Sequence, residues 1–477
     1  MLREMLDQPN LYLLAFPRID SLEEHAEWIR LEAATRDIAI RIETIHGKQG
    51  LPNVPRRIDD ACRALASADH VVLLITHEAL LRLDQKAFAD SPRPWHARID
   101  EAPDGLASGV FRAPVAAHYL GQVYDLAPSA APGWWSVSLK PGAPGAGALM
   151  LDTHLRGLVG FDKRARSAGG ALVNVGDWRD AMVPGRDVHW LAVWTPALLD
   201  GFVSVVIAAA NFGTSLCGLA WERLDPCTGR YVERHLGVEA RRARPSVLIH
   251  FFTRGHQGST AWWAESEGKR CLNRVIRHLM QVRDLGFYSG NESVRAYAEG
   301  WLDHAEAVSP KQAGTNSLIR HTSCAFVYSN KSQGADSPIR EALGLTGLDI
   351  RRAREVEDLL QFAMRGAIRR PDYCGSYRTY VYDEAQALAL SDYLVTSGIT
   401  DDVSLEPLED AGIMDTCRPR SAGLQGASEP ILTHAERATA RLDAEKERGR
   451  RRRADDKANR QANGTYRGRG RPPNRGG

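Results

Sequence analysis

The chain has 477 residues, 43% hydrophobic and 25% charged, with a formal net charge of only +2. That balance suits roughly two or three folded domains and excludes a globally basic surface, so any nucleic-acid contact must come from local patches. The seven cysteines are scattered, with no Cys-x-x-Cys pair; this argues against a disulfide framework or zinc site and fits a reducing cytoplasm, while no apolar run reaches membrane-spanning length and the N-terminus lacks a signal-peptide core.

Leu11 to Phe16 is an apolar strand, and Asp20 is placed to cap an amphipathic helix through Ala34. Ile38 to Ile45 alternates apolar and charged residues as a half-buried strand. Pro55 to Ala66 is helical in period. His70 to Ile75 is a continuous apolar run, the pattern of a parallel strand buried on both faces, and a strand-like His96 to Ile99 follows. Strands alternating with helices predict an α/β domain with a parallel sheet. From Asp104 to His189 the pattern weakens. Pro128 to Gly147, rich in Pro, Gly and Ala around Trp134-Trp135, reads as part of a long insertion, partly loop. The tryptophans suit local core or stacking on bases. Val203 to Ala208 is another buried-strand run.

A charged link, Arg241 to Arg244, precedes a second α/β block with a strand at Ser246 to Phe252, a helix at Cys271 to Leu285 and a strand at Ala325 to Ser329. From Glu355 a helix is expected on which Gln361, Arg365 and Arg369 recur every four residues. They would share one polar face, opposite Val356, Leu359, Leu360 and Ala363. Two guanidiniums in one row suit a polyphosphate, because their fork matches phosphate oxygens; the plainer reading is an Arg-rich surface helix. A strand at Tyr377 to Tyr382 and a helix from Asp383 to Leu394 follow, with Asp383 as N-cap and Gln386 closing a capping box. Beyond Thr396 the core signal fades. The end, through Arg450 to Arg453 and Tyr466 to Pro473, reads as a disordered basic tail. Within it Arg469-Gly470-Arg471-Pro472 resembles the core of an AT-hook, which lays arginines in the DNA minor groove.

Several of these stretches together resemble superfamily 2 DEAD/DEAH-type helicases, from about Leu11 to Leu394. Ala15-Phe16-Pro17-Arg18 looks like motif Ia and Thr76-His77-Glu78 like motif Ib. Asp100-Glu101-Ala102-Pro103 looks like motif II, with Arg98 where an aliphatic residue is usual. Ala209-Ala210-Asn211 looks like motif III with both hydroxyls lost. Thr253-Arg254-Gly255 resembles motif IV, and Gly314-Thr315-Asn316-Ser317 stands where motif V belongs. Gln361 to Arg369 resembles motif VI, with Met364 in place of Gly and the last arginine one residue late. The family's phosphate loop, Gly-x-x-x-x-Gly-Lys-[Ser/Thr], is missing. His46-Gly47-Lys48-Gln49-Gly50 lacks its first glycine and its hydroxyl and follows the wrong strand. Met1 to Asp7 reads as the end of the helix that such a loop opens. The expectation is therefore a truncated product or a start assigned too far downstream, with the first sheet strand lost and an unpaired edge left in a buried place.

The resemblance implies an α/β protein with two RecA-like parallel-sheet lobes: an incomplete first lobe at 1–240 with an insertion at about 104–189, a second at 244–396, and a linker and tail at 397–477. It implies ATP and Mg²⁺ as cofactors. Asp100 would hold Mg²⁺, Glu101 would activate water, and Gln361, Arg365 and Arg369 would meet the phosphates. Arg18, Thr76, Arg254 and Thr315, with Arg469 and Arg471 of the tail, would contact nucleic acid, DNA ahead of RNA. The expected function is an ATP-dependent helicase or translocase in the cytoplasm, with no membrane partner. The alternatives are a helicase-derived DNA-binding protein without hydrolysis and an unrelated α/β protein with chance matches.

Overall fold

The computed structural model describes residues 2–50, 53–83, 86–112, 117–151, 155–181, 186–209, 211–224, 243–311 and 317–418. In chain order the strands begin with β1 (Leu11–Phe16), β2 (Arg41–Ile45), β3 (Val71–Thr76) and β4 (Trp95–Asp100). Next come β5 (Leu106–Arg112), β6 (Tyr124–Pro128), β7 (Trp134–Leu139), β8 (Ala171–Asn174), β9 (Asp187–Val193) and β10 (Ser204–Ala208). The last are β11 (Ser246–Thr253), β12 (Phe287–Gly290), β13 (Glu306–Ala307), β14 (Ser323–Val327), β15 (Ser376–Asp383) and β16 (Val403–Pro407). They form three sheets. Two are wholly parallel, of order β10-β4-β1-β3-β2 and β13-β12-β14-β15-β11-β16, and the third is antiparallel, β5-β9-β8-β7-β6.

Alternate residues of β1 serve two different cores. Leu11, Leu13 and Ala15 pack with Ile58, Cys62 and Leu65 of the helix Val54–Leu65. Tyr12, Leu14 and Phe16 pack with Leu22, Ala26 and Ile29 of the helix Ile19–Thr35. A strand apolar on both faces requires a helical layer on each side. The second parallel sheet repeats the pattern. Ile249, Phe251 and Val381 face Leu359, Phe362 and Leu390, whereas Phe252, Tyr380 and Tyr382 face Trp262, Val275 and Leu279.

Several local expectations are corrected. The first long helix begins at Ile19 after Arg18, which gives no side-chain cap, and Asp20 lies inside its first turn. Val203 to Ala208 is not a buried run: β10 is an outer strand, and Val203, Val205 and Val206 are 61%, 36% and 43% exposed. Apolarity alone did not report that the strand has a neighbour on one side only and little cover on its faces. Among the described residues β10 is an open edge of its sheet, and it does not lie in a buried place. The insertion is chiefly the antiparallel sheet, with Trp134 buried in a core and Trp135 half-buried beside it. The second parallel sheet runs past Thr396 to β16, and Ile413 and Met414 belong to its cores. Asp383 does cap its helix by accepting from the Gln386 amide N–H, but the Gln386 side chain accepts from the Tyr382 N–H and closes no box. No described helix is long and apolar enough to cross a membrane.

One further correction bears on the site. The helix carrying Gln361 stops at Ala363, with Met364 as its C-cap. Arg365 lies in the turn beyond, and Arg369 in a 3-10 turn, Ala367–Arg369. The three side chains therefore do not share one helical face. Gly366 supplies the reason: a Cβ there would sit 2.3 Å from the Tyr377 hydroxyl, so the backbone must run flat against that ring.

Candidate functional site

Arg98, the residue out of keeping with its motif, is buried and structural. Its guanidinium lies 5.5 Å from the Tyr12 ring centroid and donates to the Ala97 carbonyl and the Ser204 hydroxyl, fastening β4 to β1 and β10. Asp100 ends that strand. Glu101 follows with a φ of 66°, left-handed for a residue that is neither Gly nor Asn. Its N–H donates to the Ala208 carbonyl at 2.8 Å, so β10 holds the turn in place. Such backbone costs about 1–3 kcal/mol and persists where the surroundings over-determine it, commonly at functional sites.

The second sheet's helix Glu357–Ala363 and the turn after it lie against this strand end. Arg365 Nη2 stands 3.6 Å from Glu101 Oε1. Arg365 is 7% exposed, and its Nε is buried with no hydrogen-bond partner in the structure. Burial pushes the Asp100 and Glu101 carboxyls up from the usual carboxylate range; Arg365 opposes the shift at both, and Arg369 opposes it at Asp100. Burial also pulls the Arg365 guanidinium down, with Glu101 opposing. Two half-buried carboxyls and the buried Arg365 guanidinium thus share one partly dry space, with the exposed Arg369 acting on Asp100 from outside it.

A second link lies alongside. Asn211, left-handed at φ 54°, donates through Nδ2 to Glu357 Oε2 at 3.4 Å, and Gln361 Nε2 donates to Glu357 Oε1 at 3.1 Å. The end of β10 is therefore tied to the helix that leads to the arginines. Asn211 is the one polar side chain of the Ala209-Ala210-Asn211 stretch, and it makes this bond. Glu357 was missed by sequence reasoning, although it stands one helical turn before Gln361. His77 was missed too: its ring bonds the Asp100 backbone, and burial pulls its pKa to about 4.

A cleft of about 560 Å³ opens beside Glu101, lined by Arg18, His77, Glu101, Lys311, Glu357 and Gln361 among others; Asp100, Arg365 and Arg369 are not part of its lining. Arg18 stands 3.8 Å from Asp20. Thr76 is engaged as a cap, accepting from the Ala79 N–H. Arg254 pairs with Glu384 at 3.1 Å and does not line the cleft. Thr315, Arg469 and Arg471 lie outside the described residues. Among the described residues no group of three or more His, Cys, Asp or Glu side chains is arranged to hold a metal. A magnesium ion at Asp100 would complete its shell with water and phosphate oxygens, which is how Mg²⁺ sits in phosphoryl-transfer sites. The carboxyls raised by burial and the unpartnered Nε of Arg365 fit such a cation–polyphosphate pair. The chain matches no protein-family model, and no curated protein sequence matches it.

Proposed function

We propose that the chain is the core of a nucleic-acid motor of the superfamily 2 type, driven by nucleoside-triphosphate hydrolysis and acting on DNA in preference to RNA. The observation that carries this reading is the approach of Arg365 to Glu101 from the other parallel sheet. Residues 264 positions apart in sequence meet where the helicase resemblance requires a carboxylate and an arginine to act on one γ-phosphate. In that reading the two parallel sheets are RecA-like lobes. Bound Mg²⁺ would neutralise charge on the phosphates. Asp100 holds the ion's water shell, Glu101 orients and accepts a proton from the attacking water, and Arg365 and Arg369 stabilise charge on the transferred group. Arg365 must leave Glu101 for the phosphate, freeing the carboxylate. Asn211, Glu357 and Gln361 carry the resulting movement between the sheets.

A second reading, a nucleic-acid-binding protein without hydrolysis, is favoured by one observation: the sequence has no Gly-x-x-x-x-Gly-Lys-[Ser/Thr] segment. Oligonucleotide-stimulated ATP hydrolysis separates the two. It should be measured on the 477-residue chain and on one extended upstream of Met1, each beside Glu101→Gln. Stimulated turnover in either form, reduced at least about 10³-fold by Glu101→Gln, supports the motor. Oligonucleotide binding with no turnover in both forms supports the second reading, and the absence of both activities sinks both.

A further inference from the structure

The antiparallel sheet is inserted between β4 and β10, the two strands that shape Glu101, and it presents a helix to the same cleft. That helix, Val159–Ala165, is pinned by its inner face. Phe161 and Ala165 are buried in the insertion's core, and the buried Asp162 accepts from the Tyr124 hydroxyl at 2.5 Å and from Arg166 Nε at 2.6 Å. Lys163 and Arg164, between those anchors, line the cleft instead. Neither has an ion-pair partner among the described residues, in contrast to Arg166 one turn away. Lys311, from the second parallel sheet's side, also lines the cleft; it makes no ion pair among the described residues, but its charge acts on the Asp358 carboxyl.

The cleft's carboxyls do not cancel Lys163 and Arg164. Glu78 is paired with Arg82, and Glu101 with Arg365. Glu357 receives Asn211 and Gln361, and Asp358 receives Asn330. Glu78 and Asp104 are the exposed acids of the lining, and Asp104 has no ion pair among the described residues. Lys163 and Arg164 from the insertion and Lys311 from the second parallel sheet's side thus converge on one groove from two parts of the chain, a placement that suits successive phosphates of a strand more than one compact anion.

We infer that Lys163 and Arg164, with Lys311 opposite, hold the phosphate backbone of a single-stranded nucleic acid in this cleft, making the inserted sheet a third wall of the binding track. The inference rests on the motor reading and assigns the insertion a part in it. The test is the affinity of the full chain for oligothymidylate and oligouridylate across a salt series, with ATP binding measured alongside. The Lys163→Ala, Arg164→Ala double variant should bind both oligonucleotides roughly 10- to 30-fold more weakly near 0.1 M salt. Its log–log salt slope should be shallower by about 1.4, the share of two phosphate contacts on single strands. The Lys163→Arg, Arg164→Lys variant, which keeps both charges, should restore affinity. Unchanged affinity and slope in the double Ala variant overturn this inference and leave the motor reading standing. Weakened ATP binding with unchanged oligonucleotide binding overturns it in favour of a nucleotide subsite. A wild-type chain that binds no oligonucleotide at low salt overturns both.

Discussion

Glu101 and His77 show how much of the site is decided by single side chains held against their own preference. Glu101 accepts a left-handed backbone, and His77 gives up its proton. For His77 the folded pKa, about 4, lies below the ordinary value of 6.5. The stability of the neutral ring is therefore fully present above about pH 6.5 and is lost as the pH falls toward about 4, by an amount on the order of 3 kcal/mol. His77→Gln should flatten the acid limb of a stability-against-pH curve in that window, read by chemical denaturation; an unchanged slope would show that another group controls it. That Asp100 and Glu101 stand at a strand end was legible in the sequence, and the end of a parallel strand is where an α/β sheet exposes chemistry. His77 was not, because its role depends on contact with a backbone group far along the chain.

At the scale of elements, β1 and β3 were legible because each is apolar on both faces and so needs two helical layers. The arginine segment was misread because periodicity continues through Met364 and Arg365, and nothing local announces that Gly366 must pass against Tyr377. The edges of the sheets differ in a way that composition does reveal. β2 carries Arg41 and Glu43, β16 carries Glu406 and Pro407, and β6 carries Asp125 and Pro128, all devices that discourage further pairing. The outer strand β10, Ser-Val-Val-Ile-Ala, has none of these. Val205→Lys is accordingly expected to reduce concentration-dependent association in light scattering while moving the unfolding midpoint by only a few degrees. Association equal to that of the wild type would mean that the edge is not where chains meet.

Across the whole molecule, one apolar cluster joins all three sheets. Trp134 and Leu191 of the insertion pack with Leu216 and Ala220 of the helix after β10 and with Ile339, Leu343 and Ile350 of the second parallel sheet's helices. Ser108 also donates to the Ala335 carbonyl across the same junction at 3.1 Å. The insertion therefore clamps the two parallel sheets together beside the cleft. This was invisible in the sequence, since the partners that its buried residues pack against are remote along the chain. Leu343→Ala removes a side chain only 2% exposed. It should cost about 2–5 kcal/mol and speed proteolysis between the sheets. Loss below about 1 kcal/mol would show that the cluster does not hold them.

The central claim is that Glu101 and Arg365 act on one nucleotide. Equilibrium binding of a fluorescent, slowly hydrolysed ATP analogue with Mg²⁺ tests it most directly, using wild type, Glu101→Gln and Arg365→Ala. The account predicts that Arg365→Ala weakens binding at least about tenfold, as loss of a charge-assisted contact to phosphate should, while Glu101→Gln leaves binding within a few-fold. Equal binding by all three, or no binding by any, would contradict it.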